Sequence, residues 1–257
     1  MNVAYTLVER IGKEEGIFRI KESNTLSRQQ VWRMFDRIAH RYDLLNHLLS
    51  FGQDFAWRKK LIGFLPERNN QIILDLATGT GDVLLSILNR STKISRAYGV
   101  DMARNMLKKG QQKIAEKGLQ DQIYLFPADA MALPFALDSF DVVTIAFGIR
   151  NVVDVEHTLK EIYRVLKTHG KVLILEFSLP ENPFLCKIYL FYFRKILPLI
   201  GGMISGDFSA YQYLNRTVEK FPHGAAFLQH LVMAGFTNVR NFPLTFGVAT
   251  IYTGDKV

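Results

Sequence analysis

The sequence predicts an α/β fold built on a doubly wound, mostly parallel sheet, and three observations lead there. From Ile72 onward, short apolar runs alternate with longer amphipathic stretches. That order yields parallel strands covered by helices on both faces. A glycine-bearing turn, Thr78-Gly79-Thr80-Gly81, follows the first apolar run directly. Asp101 then closes the second run, 20 residues beyond Gly81.

Ile72-Ile73-Leu74-Asp75-Leu76 reads as a buried strand, and Asp82 to Arg90 as the helix after it. Ala97 to Val100 gives a second strand, and Ala103 to Lys117 a helix that Gly118 suits as a terminator. Ile123 to Phe126 and Asp141 to Phe147 are the third and fourth strands. Val155 to Lys167 carries Leu159, Ile162, Tyr163 and Leu166 at helical spacing, and Lys171 to Phe177 is a fifth strand. Pro180, Pro183, Pro198 and the Gly201-Gly202 pair then break an apolar helical region. The α/β character returns with a helix from Pro222 to Ala234 and strands at Thr237 to Phe242 and Val248 to Tyr252. The expected organisation is one domain: an N-terminal helical segment (1–65), a cofactor-binding core (71–178), an apolar lid insertion (180–222) and a C-terminal helix with strands that complete the sheet (223–257).

Composition limits the function classes. A chain of 257 residues with 48% hydrophobic and 22% charged residues builds an ordinary core without staples. The single Cys186 excludes an internal disulfide and a multi-cysteine zinc site, so no metal is expected and a reducing cytosol is the expected address. The first 20 residues mix acidic and basic side chains, unlike a signal peptide. The most apolar window, Phe184 to Ile204, is interrupted by Lys187, Arg194 and Lys195, so surface attachment is the most a membrane could offer it. A net charge of +8 favours anionic partners, although the cations are scattered rather than massed.

The ends of the strands carry the chemistry, because parallel sheets bind ligands beyond their carboxyl edge. Gly79 and Gly81 let the backbone turn sharply beside a ligand. A carboxylate at Asp101 can accept both hydrogen bonds of a ribose diol. No Gly-Lys-Ser/Thr ending exists for a Walker loop, and Leu84 stands where a dinucleotide fold wants its third glycine. Asp75 and Asp82 flank the turn and would repel a pyrophosphate, but they suit the sulfonium and amino group of S-adenosylmethionine. Asp129 and Ala130 follow the third strand, where they can read an adenine edge, and Ala146 ends the fourth, where a small residue leaves room.

Several separated motifs resemble the ubiquinone/menaquinone biosynthesis C-methyltransferases, from about Val31 to the C-terminus. They are Tyr42-Asp43-Leu44-Leu45-Asn46 with Ser50 and Trp57, Phe147-Gly148-Ile149-Arg150-Asn151-Val152, Arg164 to Gly170, and Leu175-Glu176-Phe177-Ser178. Leu45 replaces the family's Met, Asp54 its His, and Thr168-His169 its Pro-Gly. No acid–base role for a His at position 54 can therefore be carried over. The resemblance implies a class I S-adenosylmethionine methyltransferase, Rossmann-like, with N-terminal helices and a helical lid insertion. By position it places the cofactor on Thr80, Asp101, Asp129, Ala130 and Ala146. It implies methylation of a ring carbon of a polyprenylated quinol, demethylmenaquinol first and a methoxy-polyprenyl-benzoquinol as the close alternative.

Such a transfer needs a base, or a cation that stabilises a phenolate. The candidates are Arg150 and Asn151, just past the fourth strand, and Tyr42 in the N-terminal motif. Ile188 to Phe193 is apolar all round a helix. It suits a greasy entrance resting on the anionic inner face of a membrane, with a buried helix or a homodimer interface as competing uses. Nucleic-acid methylation fits poorly: no Asn/Asp-Pro-Pro-aromatic run follows the fourth strand, and Cys186 is misplaced for a cytosine nucleophile. A cofactor-binding module without catalysis is the rival from another class.

Overall fold

A computed structural model describes residues 32–34, 36, 37, 39, 47, 50–205 and 208–257. The order of elements is α1 (Gln53–Ile62), β1 (Gln71–Leu76), α2 (Asp82–Leu88), β2 (Ile94–Asp101), α3 (Arg104–Glu116), β3 (Ile123–Pro127) and β4 (Phe140–Ala146). A 3-10 turn (Ile149–Asn151) leads into α4 (Val155–Val165) and β5 (Leu166–Phe177). The lid comprises α5 (Pro183–Phe191), a π segment (Tyr192–Ile196), α6 (Leu197–Ser205) and α7 (Phe208–Lys220). Then come α8 (Ala225–Met233), β6 (Thr237–Leu244) and β7 (Ala249–Asp255).

The strands form one seven-stranded sheet in the order β3-β2-β1-β4-β5-β7-β6. The pairs from β3 across to β5 are parallel, whereas β7 pairs antiparallel with both β5 and β6. Strand order reverses direction between β1 and β4, so the crevice at their carboxyl ends is where a ligand is expected. Side chains alternate faces along each strand. Ile73, Val142, Leu173 and Leu175 therefore join Trp57, Leu61, Leu84, Leu107 and Ile114 under α1 to α3. Leu74, Val143, Val172 and Ile174 instead join Leu159, Ile162, Phe227 and Leu231 under α4 and α8. Each such fully buried aliphatic side chain stabilises the fold by roughly 1.5–3 kcal/mol.

Two departures from the sequence expectation have local causes. The helical stripe was expected to run to Lys167, but α4 ends at Val165 because Leu166 pairs with Phe140 and begins β5. His169 then adopts a φ of 61°, a left-handed conformation that a glycine takes without strain. The Thr168-His169 replacement of Pro-Gly therefore keeps the turn and adds local strain. In the lid, α5 has no buried residue, so the apolar segment from Ile188 buries only its end, Phe193 in the π segment. Phe193 and Leu197 hold the lid down by packing with Met34 and Val218. Among the described residues no helix is long and apolar enough to cross a membrane.

Candidate active site

The loop between β1 and α2 forms the floor of the site. Ala77, Gly79 and Gly81 have φ of 49°, 56° and 78°. Two of these positions are glycine, but Ala77 carries a Cβ in a strained region, a pattern that concentrates at functional loops. The backbone comes close to β2: a Cβ on Gly99 would lie 2.4 Å from Leu125 Cδ2 and 2.8 Å from Thr78 Oγ1. On the other side, a Cβ on Gly148 would lie 2.5 Å from Ala77 Cβ. Small residues at 77, 99 and 148 are what let this loop settle between β2 and the end of β4.

Above the loop a cleft enclosing about 900 Å³, part of it open to solvent, is lined among others by Gly79, Asp101, Asp129, Ala130, Ala146 and Asn151. Asp101 holds the loop in place: its Oδ2 accepts from Gly79 N at 2.9 Å and its Oδ1 from Ala103 N at 2.8 Å. Each oxygen keeps a further lone pair for a ribose hydroxyl. Burial raises the Asp101 pKa, partly offset by those amides. Asp129 caps its own turn by accepting from Met131 N at 3.0 Å. Val100, Met102, Met106, Met131 and Val152 supply apolar walls suited to a purine.

Asp75 lies beneath the cleft rather than on its wall. It is 1% exposed, and its Oδ1 accepts from the Thr144 hydroxyl at 2.5 Å. Its Oδ2 is buried with no hydrogen-bond partner. Burial pushes its pKa from 3.8 up to about 7, with Thr144 opposing. Thr80 and Gly81 do not line the cleft; Lys113 Nζ donates to Thr80 Oγ1 at 2.9 Å and to Asp82 Oδ1 at 2.6 Å. Arg58 stands 3.7 Å from the other Asp82 oxygen. Asp82 is thus paired with cations, and the carboxylates nearest the cleft are Asp75 beneath the loop and Asp101 and Asp129 on the walls. An orphaned buried carboxylate oxygen under the loop, two carboxylates on the walls and apolar sides fit a cationic nucleoside such as S-adenosylmethionine.

Sequence reasoning overlooked the N-terminal contribution. Trp32 lines the cleft, and Asp36 Oδ1 accepts from Asn105 N at 2.7 Å in the first turn of α3. Ala39 packs on Ala103 and Met106. The first turn of α3 would expose these amides and apolar atoms without a covering segment, which is the signal that could have found it.

Arg150 and Asn151 occupy the 3-10 turn after β4. The Arg150 side chain is 5% exposed, and its Nη1 sits 2.5 Å from Glu176 Oε1 and 2.6 Å from the Phe147 carbonyl. The guanidinium also lies over the Phe177 ring, 5.3 Å from its centre. Burial raises the Glu176 pKa and Arg150 lowers it. Asn151 donates from Nδ2 to Phe147 O at 3.4 Å and lines the cofactor cleft, so it bridges the cleft and the arginine. Tyr42 lies outside the described residues. Glu176 was quoted in a motif but given no role; a carboxylate directly after Leu173-Ile174-Leu175 was the available signal.

The fold and this cleft define a class I S-adenosylmethionine-dependent methyltransferase. A SAM-dependent methyltransferase of Thermotoga maritima shares the fold with a TM-score of 0.63 at 19% identity, over 88% of this chain and all (100%) of that one. Another from Aquifex aeolicus gives 0.57 at 16% identity, over 78% of this chain and 89% of that one. Residues 23–256 match the ubiE/COQ5 methyltransferase family, and the chain belongs to that family. The match begins upstream of Val31, where the sequence motifs had placed it. Among its relatives, the Geotalea daltonii ubiquinone/menaquinone biosynthesis C-methyltransferase is 47% identical over 89% of this chain and 97% of its own length. The Thermus thermophilus demethylmenaquinone methyltransferase is 46% identical over 87% of this chain and 100% of its own.

Proposed function

We propose that this chain methylates a ring carbon of a polyprenylated quinol in respiratory quinone biosynthesis, with demethylmenaquinol as the acceptor. What carries the reading is family membership over residues 23–256 together with a relative named for that reaction at 46% identity over its whole length. A benzoquinol acceptor is the second reading, favoured by the double name, ubiquinone/menaquinone, of the Geotalea relative.

Bound in the cleft, S-adenosylmethionine supplies an electrophilic methyl group on a cationic sulfur. The chain's own residues do the rest. Gly79, Asp101, Asp129, Ala130 and Ala146 hold and orient the nucleoside and its amino-acid end, with Asp75 beneath as a counter-charge for the ammonium. Alignment of the reacting atoms supplies much of the rate in such a displacement. A guanidinium donates hydrogen bonds and has no acceptor, so the part of Arg150 is to stabilise negative charge on the quinol oxygen rather than to remove the proton. Asn151 positions the same oxygen, and Tyr42 remains a candidate for contact with the ring.

The lid serves the tail. Phe184, Ile188, Phe191, Leu199 and Met203 are exposed at roughly helical spacing along α5 and α6. Lys187 and Lys195 are exposed near them, while Arg194 is engaged by Glu219 at 2.7 Å. An apolar stripe flanked by cations suits a cytoplasmic protein resting on an anionic membrane, the source of a prenylated acceptor; a homodimer face is the competing use. Quinone analysis of a strain lacking the protein tests the main reading. Accumulation of the demethylated naphthoquinone is expected, accumulation of a demethylated benzoquinone selects the second acceptor, and an unchanged quinone pool defeats both.

A further inference from the structure

Around the 3-10 turn and the lid, at the edge of the nucleoside cleft, the protein buries polar atoms that it does not pair. Glu176 and the Phe147 carbonyl both engage Arg150 Nη1, which leaves Arg150 Nε buried without a partner. Asn151 Oδ1, on the next residue, is equally unpartnered. The third such atom comes from the lid: the Tyr189 hydroxyl on α5 is buried with no hydrogen bond. Tyr189 stacks on Phe193 with ring centres 5.1 Å apart and packs in the cluster that includes Phe177, the ring under Arg150.

An unpaired buried polar atom costs about 1–3 kcal/mol, and native folds keep few of them without a use. Phenylalanine would fill the space at 189 without that cost, as it does at the neighbouring buried Phe193. The three atoms are also chemically complementary to a dihydroxy aromatic ring: Nε–H donates, Oδ1 accepts, and a phenol does either. Aromatic faces at Phe177 and Tyr189 supply the stacking surface.

We propose that Tyr189 is a recognition residue for the acceptor, its hydroxyl meeting one ring hydroxyl of the quinol, with Arg150 Nε and Asn151 Oδ1 as the other polar partners of the head group. The lid then carries head-group recognition as well as the tail. Burial raises the Tyr189 pKa and the Arg150 charge opposes that rise. The phenol therefore stays a neutral hydrogen-bonding group at working pH, close to the arginine.

This inference rests on the quinol reading, and the test separates the two. Tyr189→Phe in the full chain is assayed with a short-chain demethylmenaquinol and S-adenosylmethionine, with cofactor affinity and thermal midpoint measured alongside. Loss of one neutral hydrogen bond raises the quinol KM by roughly 2- to 10-fold, with cofactor affinity unchanged. The thermal midpoint stays level or rises, because the variant removes a buried hydroxyl that nothing pairs. A purely structural tyrosine would lower the midpoint and leave KM alone. Wild-type turnover with an unchanged KM in the variant overturns the inference alone; no transfer to a quinol by the wild-type chain overturns the functional reading and this inference with it.

Discussion

Replacing Asp75 by Asn removes a charge that the cofactor-free fold carries at a cost. The carboxyl is buried under the glycine loop, with one oxygen accepting from Thr144 and with the Thr78 hydroxyl also lowering its pKa against the cost of burial. A pKa of about 7 in place of 3.8, at 1.36 kcal/mol per unit, amounts to about 4 kcal/mol against the ionised form. The sign follows from proton counting. Between pH 3.8 and about 7 the folded chain keeps a proton that the unfolded chain has released, so this group's contribution to stability falls as pH rises and levels off above about 7.

Asn at 75 still accepts from Thr144 and never ionises. The stability of Asp75→Asn relative to wild type should therefore rise with pH, by about 2–3 kcal/mol between about pH 5 and about pH 8. Denaturant unfolding of both proteins at those two values reads this directly. A difference independent of pH to within about 0.5 kcal/mol would refute the argument, because linkage admits no such result for a group with this shift. The same variant should bind S-adenosylmethionine more weakly at the higher pH, where wild-type Asp75 offers a full negative charge.

Arg150→Ala should slow methyl transfer with little change in cofactor affinity, and should destabilise the fold by about 3–5 kcal/mol by stranding Glu176. The double variant Arg150→Met with Glu176→Gln should regain most of that stability but not the turnover, as read by unfolding and single-turnover assays. Flotation with anionic liposomes at low salt should carry the protein to the lipid layer; absence of binding would remove the membrane role for the lid, and Ile188→Glu should abolish binding if the role holds.

The sheet was legible because its residues report their own environment. Runs such as Ile72 to Leu76 and Asp141 to Phe147 are apolar enough to be buried on both faces, and the turn glycines follow at once. Asp101 was legible for the same reason, as a carboxylate ending a strand at a fixed distance from the loop. What escaped were requirements set by a distant segment. Nothing local to Gly148 announces that Ala77 presses against it, and nothing near Asp82 announces Lys113 and Arg58. The electrostatic choice of a cationic cofactor counted Asp82 at full charge, whereas Lys113 and Arg58 pair with it. Tyr189 was read only as one apolar position in a helix, because an unpartnered hydroxyl is a property of the packed lid and not of the string.

The departure at position 54 shows how far a single residue can mislead. Asp54 stands where the family has His, which argued against a histidine in that place. In the fold Asp54 is 2% exposed, and His47 Nδ1 meets its Oδ2 at 2.6 Å. The same oxygen accepts from Arg58 at 2.9 Å, and Ser50 donates to the other at 2.8 Å. The imidazole–carboxylate contact therefore exists, with its histidine supplied from seven residues upstream. Arg58 carries the contact on toward Asp82 at the first turn of α2, so this pair braces the glycine loop from outside the cleft. Asp54→His alone should cost about 3–5 kcal/mol, since it removes the carboxylate that buried Arg58 meets at 2.9 Å and leaves only Asp82 at 3.7 Å. Adding His47→Asp returns a carboxylate to the same place, and the double variant should recover at least about half of that loss. Additive costs in the double-mutant cycle would mean that the two side chains stand near each other without exchanging energy, and the bracing role would fall with them.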